Sequence, residues 1–257
     1  MKIMSLAVYE ETEKEIDLAY KELNKTKIEK ETSYILSQLI MVMMGTFKDR
    51  LKSITFDTHD LYFDEVFITS NKNKTALLNW LKRMIGMYHP IDDHEFGKLK
   101  VDLEEWYYQI GGRDIVFEYR DTYLLKPKET AEILGVSTVT LNKYVKRGFE
   151  YIPNSSQNRI PKHMIYLWKD PVYAIKVQML FQEKKLRNQT PEERLKEVIK
   201  ELLEFQMKYG AEFHKDAFPE LDGDEINAIA DYYEWEDLEE EYLELKQKVY
   251  GERKNGK

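Results

Sequence analysis

Apolar side chains recur every three or four residues through much of the N-terminal half, a spacing that predicts amphipathic helices. Residues 5–24 are expected to form the first helix. Its apolar stripe consists of Tyr9, Ile16, Tyr20 and Leu23. Segment Glu31–Phe47 is apolar nearly all round, which is typical of a helix buried at the centre of a domain. Thr75–Met87 returns to the amphipathic spacing and predicts a third helix.

Two further regions favour strands. Ser53–Phe56 and Leu61–Ile68 predict a strand pair around a polar turn, although a helix over 61–68 fits nearly as well. Trp106–Ile110 and Asp114–Tyr119 flank Gly111-Gly112, and two glycines between aromatic and β-branched runs predict a hairpin with a primed turn. Residues 1–120 are therefore expected to form an α+β domain within a mainly α protein.

The C-terminal region, residues 169–257, is predicted to be helical throughout. Asp170-Pro171 begins one helix, which runs to about Arg187, and Thr190–Glu193 forms a capping box that begins the next. Gly210 is expected to end that second helix. The last helix carries an apolar seam at alternating spacings of three and four, made of Trp235, Leu238, Tyr242, Leu245 and Val249.

The central region, residues 121–168, contains a predicted pair of short helices joined by a tight turn. Pro127 suits the first turn of a helix, because its missing N–H would have no partner there. Gly135 is expected to end that helix in the left-handed conformation, and Ser137 to cap the next by accepting a hydrogen bond near Thr140. Apolar side chains on the inner faces would lock the two helices together. Those side chains are Ala131, Leu134, Val136, Leu141 and Val145.

This packing would leave a polar face of the second helix pointing outward, made of Thr138, Val139, Asn142, Lys143 and Lys146. A short helix with such a face fits the major groove of DNA. Asn142 is expected to pair with adenine, and Lys143 with guanine or a phosphate. Thr138 and Thr140 are expected to bind phosphate with help from the helix N-terminus.

Leu125–Gly148 resembles the helix-turn-helix of the MerR-like and excisionase-like superfamily, and the likeness extends over about residues 121–166. It is carried by Pro127–Ala131, Leu134–Ser137 and Thr140-Leu141, and by the closing Arg147-Gly148. The resemblance implies a winged helix-turn-helix that binds double-stranded DNA. Members of the superfamily often carry this domain at the N-terminus, whereas about 120 residues precede it here.

In the superfamily a two-stranded wing follows the second helix, and then a strand and a short helix. Gly148–Ile152, Pro153–Asn158 and Arg159–Ile165 occupy these positions here. The resemblance implies that Arg159 and a wing tip made of Ser155, Ser156 and Asn158 lie against the DNA backbone. The full set of expected DNA contacts is Thr138, Val139, Thr140, Asn142, Lys143, Lys146, Arg147, Ser155, Ser156, Asn158, Arg159 and Lys162.

The charge distribution agrees with a local DNA-binding surface. The net charge is −8 overall, yet residues 120–189 carry +7 and residues 190–257 carry −10. A basic segment between acidic flanks is what a local phosphate-binding surface requires. The chain has no cysteine, which excludes disulfides, thiolate metal sites and a cysteine nucleophile. The N-terminal apolar run is too short for a signal peptide and no stretch is long enough to span a membrane, so a cytoplasmic protein is expected.

Two polar clusters are candidate enzyme sites. His89–His94 contains two imidazoles and two carboxylates, and Asp57–Asp60 with Asp64 resembles a nuclease-like carboxylate set. A solvated loop and a polar turn are the favoured interpretations, so neither a catalytic nor a metal site is assigned and no cofactor is expected.

The favoured hypothesis is a homodimeric, DNA-binding transcriptional regulator that is not an enzyme. The alternative is an antitoxin-like or phage-type interaction protein that binds a protein partner through its acidic C-terminal helices. A metal-dependent nuclease acting through the N-terminal carboxylates and histidines is the third hypothesis.

Overall fold

The computed structural model describes residues 6–56, 62–87, 91–153, 158–218 and 226–251, with the side chains of residues 226–230 excepted. The protein is mainly helical, and its described residues form two small antiparallel sheets. It divides into two compact units, Met1–Gln182 and Glu183–Lys257. No helix within the described ranges is both long enough and apolar enough to cross a membrane.

The first unit contains the helices α1 (Leu6–Lys21), α2 (Lys25–Thr46), α3 (Glu65–Ile68), α4 (Asn71–Gly86), α5 (Asp93–Gln109), α6 (Pro127–Leu134), α7 (Thr138–Lys146) and α8 (His163–Lys169), and most of α9 (Pro171–Asn188). Its strands are β1 (Leu51–Phe56), β2 (Ile115–Tyr119), β3 (Leu124–Leu125) and β4 (Ile160–Pro161), and a single 3-10 turn covers Asp121–Tyr123. The three helices predicted from the N-terminal apolar spacing are confirmed as α1, α2 and α4.

The predicted strand pair around residues 57–60 is wrong. Strand β1 pairs with β2, in a register that aligns Phe56 with Ile115 and Leu51 with Tyr119. The segment predicted as the partner strand of β1, residues 61–68, instead ends in the short helix α3. Asp64 caps this helix by accepting a hydrogen bond from the backbone N–H of Phe67 at 2.9 Å. The alternative of a helix over 61–68 is therefore confirmed in its second half.

The predicted hairpin at Gly111-Gly112 is also wrong. Residues 106–109 form the last turn of α5, because the aromatic side chains there are buried in the core. The indole of Trp106 also donates to Asn73 Oδ1 on α4 at 3.0 Å. Gly111 has a φ of +104° and would clash with the Tyr62 carbonyl if it carried a Cβ, so it ends the helix without opening a hairpin.

One continuous core joins the two sequence regions 1–120 and 121–168. Buried side chains from Ile16 on α1 to Leu180 on α9 belong to a single cluster. Helix α5 packs directly on α8, and Gly97 permits the close approach, because a Cβ there would lie 2.9 Å from Leu167 Cγ. The division expected near residue 120 therefore falls inside one compact unit.

The second unit contains α10 (Pro191–Tyr209), α11 (His214–Ala217) and α12 (Ile226–Gly251). Arg194 near the start of α10 binds Glu241, and the Phe205 ring stacks on Trp235, so the two long helices run antiparallel. The predicted seam is confirmed: Trp235, Leu238, Leu245 and Val249 are buried and Tyr242 packs against them. The capping box at Thr190 and the left-handed Gly210 also occur as predicted.

Candidate nucleic-acid interface

Helix α6 begins and ends through the local signals that its sequence carries. Pro127 occupies the first turn, and Glu129 accepts a hydrogen bond from the backbone N–H of Lys126 at 2.8 Å. Gly135 closes the helix with φ +70° and ψ +31°. The N–H of Val136 then donates to the carbonyl of Ala131 at 3.0 Å, which directs the chain tightly into the next helix.

Helix α7 is held against α6 and α8 by its apolar face. Ser137 caps it by accepting from the backbone N–H of Thr140 at 3.1 Å, as predicted. Leu141 is buried beneath it, and the ring of Tyr144 lies 5.1 Å from Trp168 on α8. Phe149 completes this aromatic cluster at 5.2 Å from Trp168. Sequence analysis missed this cluster, because its rings come from segments about 20 residues apart.

The segment predicted as the wing is closed at its base by a backbone bridge. Ile152 and Arg159 exchange two backbone hydrogen bonds, of 2.7 and 2.9 Å, and form an antiparallel bridge. Beyond it, β4 pairs with β3, so the strand after the wing lies beside the strand before α6. The predicted wing-tip residues Ser155 and Ser156 lie outside the described residues.

The predicted outward side chains of α7 are exposed. We call Thr138, Val139, Asn142, Lys143 and Lys146 the α7 face. Thr140 is half-buried, and its hydroxyl lies 3.0 Å from Ser137 Oγ. Near the wing, Arg147 and Asn158 are exposed, and Arg159 and Lys162 are half-buried. Within the described part of the chain, nothing covers the α7 face.

Among the described residues, the cations of this region have no carboxylate partner. Lysines and arginines elsewhere commonly form ion pairs, as between Arg50 and Asp93 at 2.7 Å or Arg83 and Asp102 at 2.6 Å. The basic side chains around α7 and the wing form none with any described residue. They are Lys126, Lys128, Lys143, Lys146, Arg147, Arg159 and Lys162. Their charge is therefore available to an external anion.

A group of buried and half-buried polar side chains connects α5 to the segment between α7 and the Ile152–Arg159 bridge. The Nζ of Lys100 lies 3.1 Å from Glu104 and 2.8 Å from Glu150, which follows α7 and precedes the wing bridge. Tyr119 donates its hydroxyl to the other oxygen of Glu150 at 2.9 Å. His163, which is fully buried, places Nε2 at 3.4 Å from Glu150. We call these five residues the buried ion network.

The protonation states in the buried ion network follow from burial and charge together. Burial alone would raise the pKa of Glu150, but the charge of Lys100 and the contact with His163 hold it well below its usual range. Burial alone would lower the pKa of Lys100, but Glu104 and Glu150 raise it. Burial lowers the pKa of His163 despite the opposing effect of Glu150. The network therefore contains a charged Lys100, a charged Glu150 and a neutral His163 near pH 7.

The polar clusters considered as enzyme sites have structural roles where they are described. Asp92 caps α5 by accepting from the N–H of Glu95 at 2.8 Å, and Asp93 binds Arg50. His94 lies 3.0 Å from Asp170. The interpretation of 89–94 as a solvated loop is therefore wrong for Asp93 and His94, which are half-buried in the first turn of α5.

Asp57, His59, Asp60 and His89 lie outside the described residues. Among the residues that are described, no three histidines or carboxylates are grouped so that they could hold a metal ion. No protein-family model, curated protein or solved structure matches this chain.

Proposed function

We propose that this protein binds specific sequences of double-stranded DNA, with α7 in the major groove and the wing against the backbone, and that it regulates transcription. The observation that carries the proposal is the surface around α7, whose polar side chains are exposed and whose cations pair with no carboxylate in the described part of the chain. Phosphate contacts supply affinity and base edges supply specificity. This surface offers side chains for both.

The order of residues along α7 supports this assignment. Val139, Asn142, Lys143 and Lys146 follow the spacing i, i+3, i+4, i+7, so they share one face of the helix. Asn can bind the major-groove edge of adenine through two hydrogen bonds, and Lys can bind guanine or a phosphate. Nine residues of helix span only about 13 Å, enough for a few base pairs. We therefore propose a homodimer that binds two half-sites.

The test begins with selection of preferred duplexes from a randomised pool by the full-length protein. Affinity for the selected duplex is then measured by fluorescence anisotropy at several salt concentrations. We expect log K to fall with log salt at about −0.9 per neutralised phosphate. Lys143→Ala and Arg159→Ala should weaken binding with the fold intact. Lys200→Ala is the matched control, because that side chain is 78% exposed on α10, outside the proposed surface.

Two results would contradict this function. One is a pool in which no sequence is enriched. The other is unchanged affinity in both Lys143→Ala and Arg159→Ala, since the proposed surface would then make no contribution to binding.

A second candidate function is protein binding by the acidic C-terminal unit, of the antitoxin-like or phage-type kind. One flank of the α10–α12 pair is closed by Arg194, which binds Glu241 and approaches Glu201. Large apolar side chains remain exposed on the same two helices, including Leu203 at 50% and Leu243 at 64%. Exposed apolar groups on an acidic pair favour an interface.

The test of this second candidate is light scattering on the full chain and on a Leu203→Glu/Leu243→Glu variant. A dimer that dissociates in the variant would assign Leu203 and Leu243 to a self-association interface. An unchanged molecular mass, together with unchanged binding of any protein partner that co-purifies with the wild type, would contradict a role for these two side chains in protein binding.

A further inference from the structure

We infer that Val139 is a base-reading side chain, which contacts the C5-methyl of a thymine in the major groove. This inference rests on the DNA-binding function proposed above and extends it to the base content of the site. With Asn142 directed at an adenine, the preferred sequence would contain a thymine within one or two base-pair steps of that adenine.

Val139 differs from the other apolar residues of α7 in that its side chain is exposed. Leu141 is 1% exposed and holds the helix on the core, and Tyr144 and Val145 are half-buried against the same core. Val139 is 66% exposed. It is therefore not needed for packing within the chain, and its methyl groups project from the side of the helix that carries Asn142 and Lys143.

The chemistry of the major groove identifies what such a side chain would contact. Each base presents nitrogen or oxygen atoms there, and thymine alone among the four adds a methyl group. An isopropyl group makes no hydrogen bond, so contact with a polar base edge would remove water from that edge without compensation. Contact with a thymine methyl removes apolar surface from water on both partners.

The position of Val139 relative to Asn142 limits the spacing of the two bases. Side chains at i and i+3 lie about 5–6 Å apart on a helix surface. Successive base pairs are separated by about 3.4 Å. A thymine contacted by Val139 therefore lies one or two steps from an adenine contacted by Asn142.

Replacement of thymine by deoxyuridine in the selected duplex tests this inference, because it removes only the methyl group. Each thymine is replaced in turn, and Kd is measured for the wild type and for Val139→Ala. One replacement should raise the wild-type Kd about fourfold, the equivalent of about 0.8 kcal/mol for one buried methyl group. Val139→Ala should lose this response at that position.

Two further variants control for indirect effects. Val172→Ala makes the same substitution at a valine that is 69% exposed on α9, and it should respond to deoxyuridine as the wild type does. Asn142→Ala should bind the duplex more weakly overall. Its Kd should still rise when the thymine is replaced by deoxyuridine, because Val139 is intact.

Each remaining outcome overturns the inference. If the selected duplex binds but no thymine responds, or if Val139→Ala responds as the wild type does, Val139 does not read a thymine, and the proposed function still stands. If neither the wild type nor Val172→Ala binds any selected duplex, the proposed function fails together with the inference.

Discussion

Lys100→Met should destabilise the first unit more than most single substitutions would. The side chain of Lys100 is 7% exposed, and those of its partners Glu104 and Glu150 are 17% and 22% exposed. Removal of one partner from a buried ion pair costs about 3–5 kcal/mol, since the other charge is left without compensation. Both glutamates keep some contact with water, so we expect about 3 kcal/mol, at the lower end of that range.

Thermal unfolding followed by circular dichroism measures this effect. For a unit of this size, 3 kcal/mol corresponds to a fall in Tm of about 6–12 °C. Lys52→Met is the matched control: its side chain is 47% exposed and pairs with the exposed Asp121, so it should cost less than about 1 kcal/mol. In Lys100→Met/Glu150→Gln, the loss should be smaller than the sum of the two single losses. A loss below about 1 kcal/mol in Lys100→Met, or strictly additive losses, would refute the reasoning.

Three other predictions concern the fold around α7. Burial lowers the pKa of His163 below 6.5 in the folded state, so acidification through pH 6.5 should protonate the unfolded chain first and lower the free energy of unfolding, by at most about 1.4 kcal/mol per pH unit. His163→Gln should reduce this dependence of the free energy of unfolding on pH in denaturant titrations at pH 5–7.5. An identical dependence in the variant would exclude His163 as its source. Ser137→Ala should cost about 0.5–2 kcal/mol in urea unfolding through loss of the α7 cap. Ser53→Ala, which removes only the surface hydrogen bond from the Ser53 hydroxyl to Glu118 on β2, should cost less. A fragment of residues 121–168 should lack helical circular dichroism, because α5 covers α8 only in the longer chain; a folded fragment would show that α5 is dispensable.

The features predicted correctly from the sequence are those set by neighbouring residues. Pro127, Gly135 and Ser137 each act within one helical turn, so α6, the turn and α7 follow from local chemistry. The seam of α12 is likewise a property of one helix, although its partner α10 was not assigned in advance. Local rules of this kind hold wherever distant contacts do not oppose them.

The predictions that proved wrong concern segments whose structure is determined by contacts with residues far away in the sequence. The aromatic run at 106–108 favours a strand by propensity, but burial against α4 makes it helical. The buried ion network joins Lys100 to Glu150 across 50 residues of chain, and no periodicity marks that pairing. The candidate interface could be located from sequence, but its attachment to the preceding helices could not.

The pairing of Lys100 with Glu150 also constrains how this sequence can diverge. A change at either position alone would pass through a protein weakened by about 3 kcal/mol, a large share of the roughly 5–15 kcal/mol that stabilises a typical domain. Substitution of both residues by apolar side chains of similar volume would reduce that penalty, since Glu104, which is 17% exposed, would then be the only charged group to lose its partner. Among descendants of this chain, positions 100 and 150 should therefore either stay fixed or be exchanged jointly.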